Sequence, residues 1–172
     1  MRLRILLPCL ALLAGLAGCA DDDPARLKVR GSALVELDGT RSGFEFADDT
    51  LLEDDRVGRY DRQAGHCTID RGETGEVDIL SVGVSLPTDA PVMGEGVRSL
   101  TVRIEGIAGK VTAQMGDVEF VGDSGPGCTV IESYLDREGG VAGVEVSCEL
   151  ADADGRTAGA TAELHFAGCQ RL

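Results

Sequence analysis

The pattern that most constrains this chain is a two-residue alternation of apolar side chains, repeated over one short segment after another. Successive side chains of a β-strand point to opposite faces, so this alternation is typical of strands with one buried face. The segments run from Ala33 to Leu37, Leu80 to Leu86, Leu100 to Ile104, Val118 to Phe120, Val144 to Leu150 and Ala160 to Phe166. Glycine-containing turns recur between them. We therefore predict an all-β fold, an antiparallel β-sandwich or barrel.

One turn signal lies midway between two cysteines. Residues 136–140 read Asp-Arg-Glu-Gly-Gly, and the central Glu138 is ten residues from both Cys128 and Cys148. A symmetric hairpin places these cysteines opposite each other, with Cβ atoms about 4.5–5.5 Å apart, which suits a cross-strand disulfide. A one-residue bulge in the turn would instead put them on opposite faces. We predict a Cys128–Cys148 disulfide, which contributes roughly 3 kcal/mol by closing the loop.

The N-terminus has the features of an export signal. Arg2 and Arg4 precede an apolar run over residues 5–16, which is too short to span a bilayer as a stable helix. The run ends in Leu16-Ala17-Gly18-Cys19, which resembles the lipobox of bacterial lipoproteins. There a signal peptidase cuts just before a cysteine that carries a diacyl group. The alternative is an ordinary secretory signal that releases a soluble product.

The lipobox resemblance implies a division of the chain. Residues 1–18 are the signal peptide, Cys19 is lipidated, residues 19–26 form the anchor and polar tether, and residues 27–172 form a single β domain. Ala20 stands where enteric lipoproteins of the inner membrane have aspartate, so the resemblance favours the outer membrane. It does not indicate whether the domain lies on the periplasmic or the surface face of that membrane. Each buried methylene contributes about 0.8 kcal/mol, and two or three acyl chains attach a protein stably.

Export determines how the other cysteines are interpreted. The sequence has six, of which one leaves with the signal peptide and Cys19 carries the lipid. Four remain in an oxidising compartment, and three pairings are formally possible. No Cys-x-x-Cys spacing indicates zinc or redox chemistry. With Cys128 and Cys148 paired, we predict a second disulfide, Cys67–Cys169, that supplements a core with no tryptophan.

An excess of acidic residues limits the partners. Lys and Arg number 16 against 30 Asp and Glu, a formal net charge of −14, and loss of Arg2 and Arg4 makes the mature chain more negative. Such a chain is repelled by nucleic acid and gains nothing from anionic headgroups. We expect membrane attachment through the lipid anchor alone, no nucleic-acid partner and no cofactor.

Three short stretches resemble chymotrypsin-like serine proteases. Residues 122–127 read Gly-Asp-Ser-Gly-Pro-Gly, one transposition from the Gly-Asp-Ser-Gly-Gly-Pro around that family's nucleophile. Residues 64–67, Ala-Gly-His-Cys, are similar to the stretch around its histidine, and Asp78 begins one similar to that around its aspartate. The resemblance implies Ser124 as the nucleophile, His66 as the base and Asp78 as the group that orients it.

The chain also departs from that family's pattern. Those enzymes use two barrels and a much longer stretch between histidine and aspartate, and Pro126 stands where they have glycine. A type I or II turn between a strand ending at Val121 and one beginning at Cys128 requires the same residue types. We therefore predict no enzymatic activity, with a serine hydrolase as the alternative.

Asp152-Ala153-Asp154-Gly155 resembles the start of a calcium loop. Such a loop needs further oxygen ligands, usually a distal glutamate, and Glu163 is too far along for the EF-hand spacing. A hairpin turn with Gly155 at positive φ explains the same residues. We predict no metal site. A calcium-stabilised adhesion-type domain with Asp152 and Asp154 as ligands is the second alternative.

The segment from Cys128 to Phe166 resembles small uncharacterised β-rich envelope lipoproteins, which have no assigned chemistry to transfer. We therefore expect a non-catalytic, lipid-anchored envelope module with a binding or structural role. Its expected partner is a protein or a glycan whose identity these residues do not give.

Overall fold

The computed structural model describes residues 27–51, 64–71, 78–86 and 96–172, without the side chains of residues 47–51. Strands occupy most of these residues, and the described part of the chain contains no helix. The strands are β1 Lys28–Leu37, β2 Thr40–Leu51, β3 Ala64–Arg71, β4 Asp78–Ser85, β5 Val97–Glu105, β6 Ala108–Met115, β7 Val118–Asp123, β8 Cys128–Asp136, β9 Val141–Ala151, β10 Thr157–Ala167 and β11 Gln170–Arg171. The predicted all-β class is confirmed.

All eleven strands belong to one strongly curled mixed sheet that forms a half-barrel. The strand order is β11-β3-β4-β5-β6-β7-β9-β10-β1-β2, and β8 pairs with β9 beside this path. Neighbours are antiparallel except β11, which runs parallel to β3. Because the sheet is continuous, the architecture is nearer to the predicted barrel than to a sandwich of two sheets.

The concave face of the half-barrel carries the hydrophobic core. Alternate side chains of the strands are buried there, as the two-residue period predicts. The core is mainly aliphatic, and its four phenylalanines are Phe44, Phe46, Phe120 and Phe166. No whole polar or charged residue is buried within the described ranges, although the side chain of Asp152 is nearly covered. Each buried Val, Leu, Ile or Phe side chain contributes about 1.5–3 kcal/mol, so stability comes from many similar contributions.

The β8–β9 hairpin contains the predicted Cys128–Cys148 disulfide, but its turn is not symmetric. Asp136 pairs with Val141 beside the turn, and the register then shifts at Ser133. Ser133 is an extra residue on β8, and this bulge compensates for the one-residue asymmetry of the turn. The two cysteines therefore lie directly opposite each other. The predicted pairing is therefore confirmed, although it depends on a bulge that the sequence did not reveal.

The last residues of the chain link separate parts of the sheet. After β10 the chain crosses to β3, where β11 pairs with it and Cys169 forms the second predicted disulfide with Cys67. The N–H of Cys169 donates to the carbonyl of Gly140 at 2.9 Å, which adds the tip of the β8–β9 hairpin to this junction. The disulfide joins residues separated by 102 positions, and a loop of that size corresponds to about 4.7 kcal/mol.

Strand β1 defines two ends of the domain. Lys28, where β1 begins, pairs with Ala167 next to the C-terminal junction, and we call this the entry end. Glu36, near the other end of β1, pairs with Gly159. The β1–β2 and β9–β10 turns both lie at that second end, which we call the far end.

Candidate functional sites

The motif at residues 122–127 forms a loop within one strand direction. Strands β7 and β8 are both antiparallel to β9, so the chain continues the same way after the loop. The N–H of Cys128 donates to the carbonyl of Gly125 at 3.1 Å, and Gly127 has a φ of +81°. With Pro126 before it, this is a type II turn, one of the two turn types that the sequence predicts. Strands β7 and β8 do not form a hairpin around this loop, because both pair with β9. The loop contains the extra residues that have no partner on β9.

Ser124, the candidate nucleophile, is exposed on this loop and held against β6. Its N–H donates to the carbonyl of Gly109 at 2.7 Å. A β-carbon on Gly109 would come within 2.7 Å of Ser124 Oγ and within 2.6 Å of Val130 Cβ. The hydroxyl therefore lies over the glycine at the start of β6, with the first half of β8 close by.

His66, the candidate base, points outward from β3. It is opposite Gly83 of β4, and a β-carbon there would come within 2.4 Å of the imidazole Cε1. The ring thus lies across the glycine, and its Nε2 is 3.4 Å from Ser81 Oγ. The serine beside the candidate base is therefore Ser81 and not Ser124.

Asp78, the candidate orienting acid, connects β4 to the β8–β9 hairpin. Its Oδ1 accepts a hydrogen bond and ion pair from Nη1 of Arg137 in the hairpin turn. Partial desolvation raises the pKa of Glu132 on β8, and the negative charge of Asp78 raises it further. These interactions give Asp78 a structural role at the junction of two elements.

The strand register does not bring the three candidate residues together. Asp78 is opposite Arg71 and His66 is opposite Gly83, so five positions of β3 separate them. At about 3.3 Å per residue that distance is about 16 Å. Ser124 is held against β6, which lies three strands beyond β3 in the sheet. Ser124, His66 and Asp78 therefore lie in three different parts of the sheet.

Asp152, the first candidate calcium ligand, organises the β9–β10 turn. Its Oδ1 accepts from the N–H groups of Asp154 and Arg156 at 2.9 and 2.8 Å, and its Oδ2 accepts from Nε of Arg156 at 2.8 Å. The side chain is only 2% exposed. The hydrogen bond from the Arg156 side chain holds the pKa of Asp152 below its ordinary value, against the opposing effect of burial.

The surroundings of Asp152 leave little capacity for a cation. The Arg156 guanidinium occupies one carboxylate oxygen, and Asp154 contributes its backbone N–H to the network. Gly155 has a φ of +82°, as expected for a tight turn. In the described ranges no group of three or more His, Cys, Asp or Glu side chains is arranged to hold a metal ion.

The predicted lipidation site, Cys19, lies outside the described residues, together with the signal peptide and the tether. Across the part of the chain that the structure does describe, no helix has the length and apolar character needed to cross a membrane.

A groove that the sequence did not predict lies at the far end, on the convex face of β2, β1 and β10. Its volume is about 320 Å³, and its lining residues are Leu34, Glu36, Asp38, Gly39, Arg41, Gly159 and Thr161. The register explains the depression, since Leu34 is opposite Thr161 and Glu36 is opposite Gly159. A β-carbon on Gly159 would meet no atom within 4 Å. We call this depression the far-end groove.

The far-end groove combines charged and apolar groups. Arg41 Nε donates to Glu36 Oε2 at 2.6 Å, and the two residues are opposite each other on β1 and β2. Asp38 and Gly39 form the turn between these strands with φ values of +51° and +77°, which is typical of a type I′ hairpin. Leu34 is 40% exposed and supplies the apolar wall. The proximity of this turn to β10 follows from the strand order, which the sequence does not give.

The chain was compared with protein-family models, curated proteins and solved structures, and no match was found. A functional conclusion therefore depends on the residues and geometry of this chain alone.

Proposed function

We propose that the protein is a non-catalytic module anchored in the bacterial outer membrane through lipid on Cys19, where it has a binding or structural role. The observation that carries this proposal is the tetrapeptide Leu16-Ala17-Gly18-Cys19 after a charged and apolar N-terminus. Residues 20–26 can span at most about 25 Å when fully extended. The entry end would then stay close to the bilayer, with the far end directed away from it.

The two disulfides support residence outside the cytoplasm. Cys67–Cys169 and Cys128–Cys148 use every cysteine of the β domain, and such bonds persist in oxidising compartments. The negative charge of −14 suits a protein that stays soluble and does not adhere to anionic surfaces. Both properties fit a domain displayed from a membrane anchor.

The positions of the candidate catalytic residues support a non-catalytic role. A serine nucleophile needs its base within hydrogen-bond reach and an orienting group for that base. Here His66 is close to Ser81, Asp78 is paired with Arg137, and Ser124 is against Gly109. The serine hydrolase remains the alternative to be tested.

Metabolic labelling tests the anchor. The full-length protein is expressed in a bacterial host fed an alkyne-tagged fatty acid, and the N-terminal peptide is analysed by mass spectrometry. We expect cleavage before Cys19, acylation of that residue and recovery in the membrane fraction. The matched variant Cys19→Ser should lose the label and the membrane association. An unmodified Cys19 in a soluble wild-type product would refute the anchor.

A fluorophosphonate probe tests the non-catalytic role. We expect no stoichiometric labelling of the full-length protein. Labelling that disappears in Ser124→Ala would establish the hydrolase instead. Labelling that disappears only in Ser81→Ala would also refute the proposal and would identify the serine beside His66 as the reactive one.

A further inference from the structure

The far-end groove is a concave site on the convex face, and its lining carries both charge and exposed apolar surface. A small strand residue and a tight turn lie at its edges. Gly159 leaves open space beside Glu36, and the Asp38–Gly39 turn forms one side of the lining. Its volume of about 320 Å³ is at the lower limit of ligand sites, so it suits a side chain or a small molecule.

The charges of the far-end groove favour a cationic occupant. Two carboxylates, Glu36 and Asp38, line it against one guanidinium, Arg41. That guanidinium is already paired with Glu36 Oε2, whereas Asp38 makes no hydrogen bond or ion pair with another described side chain. An anion would meet the unpaired carboxylate of Asp38 and would compete with Glu36 for Arg41. A cation would complete the charge balance of the site.

The remaining lining residues indicate the shape of that cation. Leu34 offers exposed apolar surface for methylene groups, and the Thr161 hydroxyl, opposite Leu34 on β10, offers an acceptor for an N–H donor. A guanidinium group is a broad plane, whereas an ammonium group is compact and is carried on an aliphatic stem. The stem matches the apolar wall of Leu34, and the ammonium matches the two carboxylates beside it. We propose that the far-end groove binds a primary ammonium group carried on a short aliphatic chain.

The far-end groove lies at the opposite end of β1 from the entry end, which is consistent with a site for external ligands. Glu36 is eight residues along β1 from Lys28, about 25 Å at the rise of a β-strand. The proposal rests on the binding role proposed above but not on the acylation of Cys19. The ammonium could belong to a lysine side chain of a protein or to a free diamine, and both sources share the chemistry argued here.

The test uses the full-length, ¹⁵N-labelled protein in detergent micelles and follows backbone amide shifts by NMR. The probes are Nα-acetyl-lysine amide, Nα-acetyl-norleucine amide, which has the same stem without the ammonium, and 1,5-diaminopentane. We expect saturable shifts at Gly39, Gly159 and Thr161 with the lysine probe or the diamine, at millimolar concentration. The tighter of the two identifies the source. The norleucine probe should bind at least several-fold more weakly.

Two variants and one control locate the site. Gly159→Ile fills the groove without forcing positive φ and should abolish the shifts, whereas Thr157→Ile, two residues earlier on the same face of β10, should leave them intact. Asp38→Asn keeps a residue that tolerates the turn and removes one charge, so affinity should fall about two- to fivefold.

Three outcomes would overturn the proposal. They are equal binding of the norleucine probe, shifts at the open turn glycines Gly116 and Gly155 as large as those at Gly159, and unchanged binding in Gly159→Ile. Acylation of Cys19 is measured on the same preparation. An acylated protein without saturable shifts refutes only the groove, and an unacylated protein with them refutes only the anchor.

Discussion

Two aspartates at the far end illustrate opposite uses of one side chain. Asp152 in the β9–β10 turn is 2% exposed, and both its oxygens accept hydrogen bonds from its own turn. Asp38 in the β1–β2 turn is exposed and adopts a φ of +51°, so that the backbone itself forms the turn. Both oxygens of Asp152 are therefore engaged by its own loop, whereas no described residue donates a hydrogen bond to the Asp38 carboxylate, which leaves it available to a ligand.

The largest effect is expected from removal of the structural carboxylate. Asp152→Ala deletes the acceptor of three hydrogen bonds, and hydrogen bonds to charged groups are stronger than neutral ones. We expect a fall in Tm of several degrees by calorimetry. Asp154→Ala is the matched control, because Asp154 uses only its backbone N–H, and it should leave Tm nearly unchanged. Equal losses in both variants would contradict the assigned role.

A smaller loss of stability is expected when Asp38 is replaced. The loss should depend on the backbone conformation that the new residue must adopt, and not on the removed charge. Asp38→Ala places a residue with no local hydrogen-bonding side chain at φ +51°, which costs about 1 kcal/mol. Asp38→Asn should cost nothing measurable, since asparagine tolerates this conformation. Urea unfolding of the two variants checks the difference. A loss in Asp38→Asn as large as in Asp38→Ala would show that the carboxylate supports the fold.

Acid should weaken the contribution of Asp152 to stability. Because the pKa of Asp152 is lowered in the folded protein, its ionised form stabilises the fold above the ordinary value of 3.8. That stabilisation is lost as the pH falls through the lower folded pKa. Urea unfolding followed from pH 6 towards pH 2 should therefore show a weaker pH dependence in Asp152→Asn than in the wild type. An unchanged pH dependence in Asp152→Asn would contradict the role assigned to this carboxylate.

Calcium should have the smallest effect. Since Arg156 is paired with Asp152, we expect millimolar calcium to leave Tm unchanged in the full-length protein. A calcium-dependent rise in Tm that disappears when Asp152 and Asp154 are both replaced by Ala would establish the calcium-stabilised domain instead. Arg156→Ala should be less stable, because the carboxylate loses its partner.

The sequence predicts what depends on neighbouring residues. The two-residue period identifies the buried faces of β1, β4, β5, β9 and β10, because alternation is a local property of strands. The spacing around Glu138 predicts the Cys128–Cys148 disulfide, and the cysteine count then predicts the other one. These conclusions needed no knowledge of strand order.

What the sequence does not predict depends on strand order and register. The far-end groove requires Leu34 to lie opposite Thr161, residues that are far apart in the chain and paired only because β1 lies between β10 and β2. The placement of Ser124 requires β7 and β8 to run the same way along β9, which a turn-like motif does not indicate. The Asp-x-Asp-Gly motif suggested a ligand, yet the partner of Asp152 is an arginine four residues away.

The position of β1 between β10 and β2 also has a mechanical consequence. If Cys19 is anchored as proposed, a pull on the tether would enter the strands at Lys28, the first residue of a strand that has a neighbour on each side. If the opposing load acts at the far end, the force runs along the strand axis and perpendicular to its hydrogen bonds. The β1–β10 and β1–β2 hydrogen-bond ladders are then loaded in shear. Many hydrogen bonds must therefore break together rather than one at a time. Under the proposed lipid anchor, this arrangement would resist tension between the membrane and a partner bound at the far end.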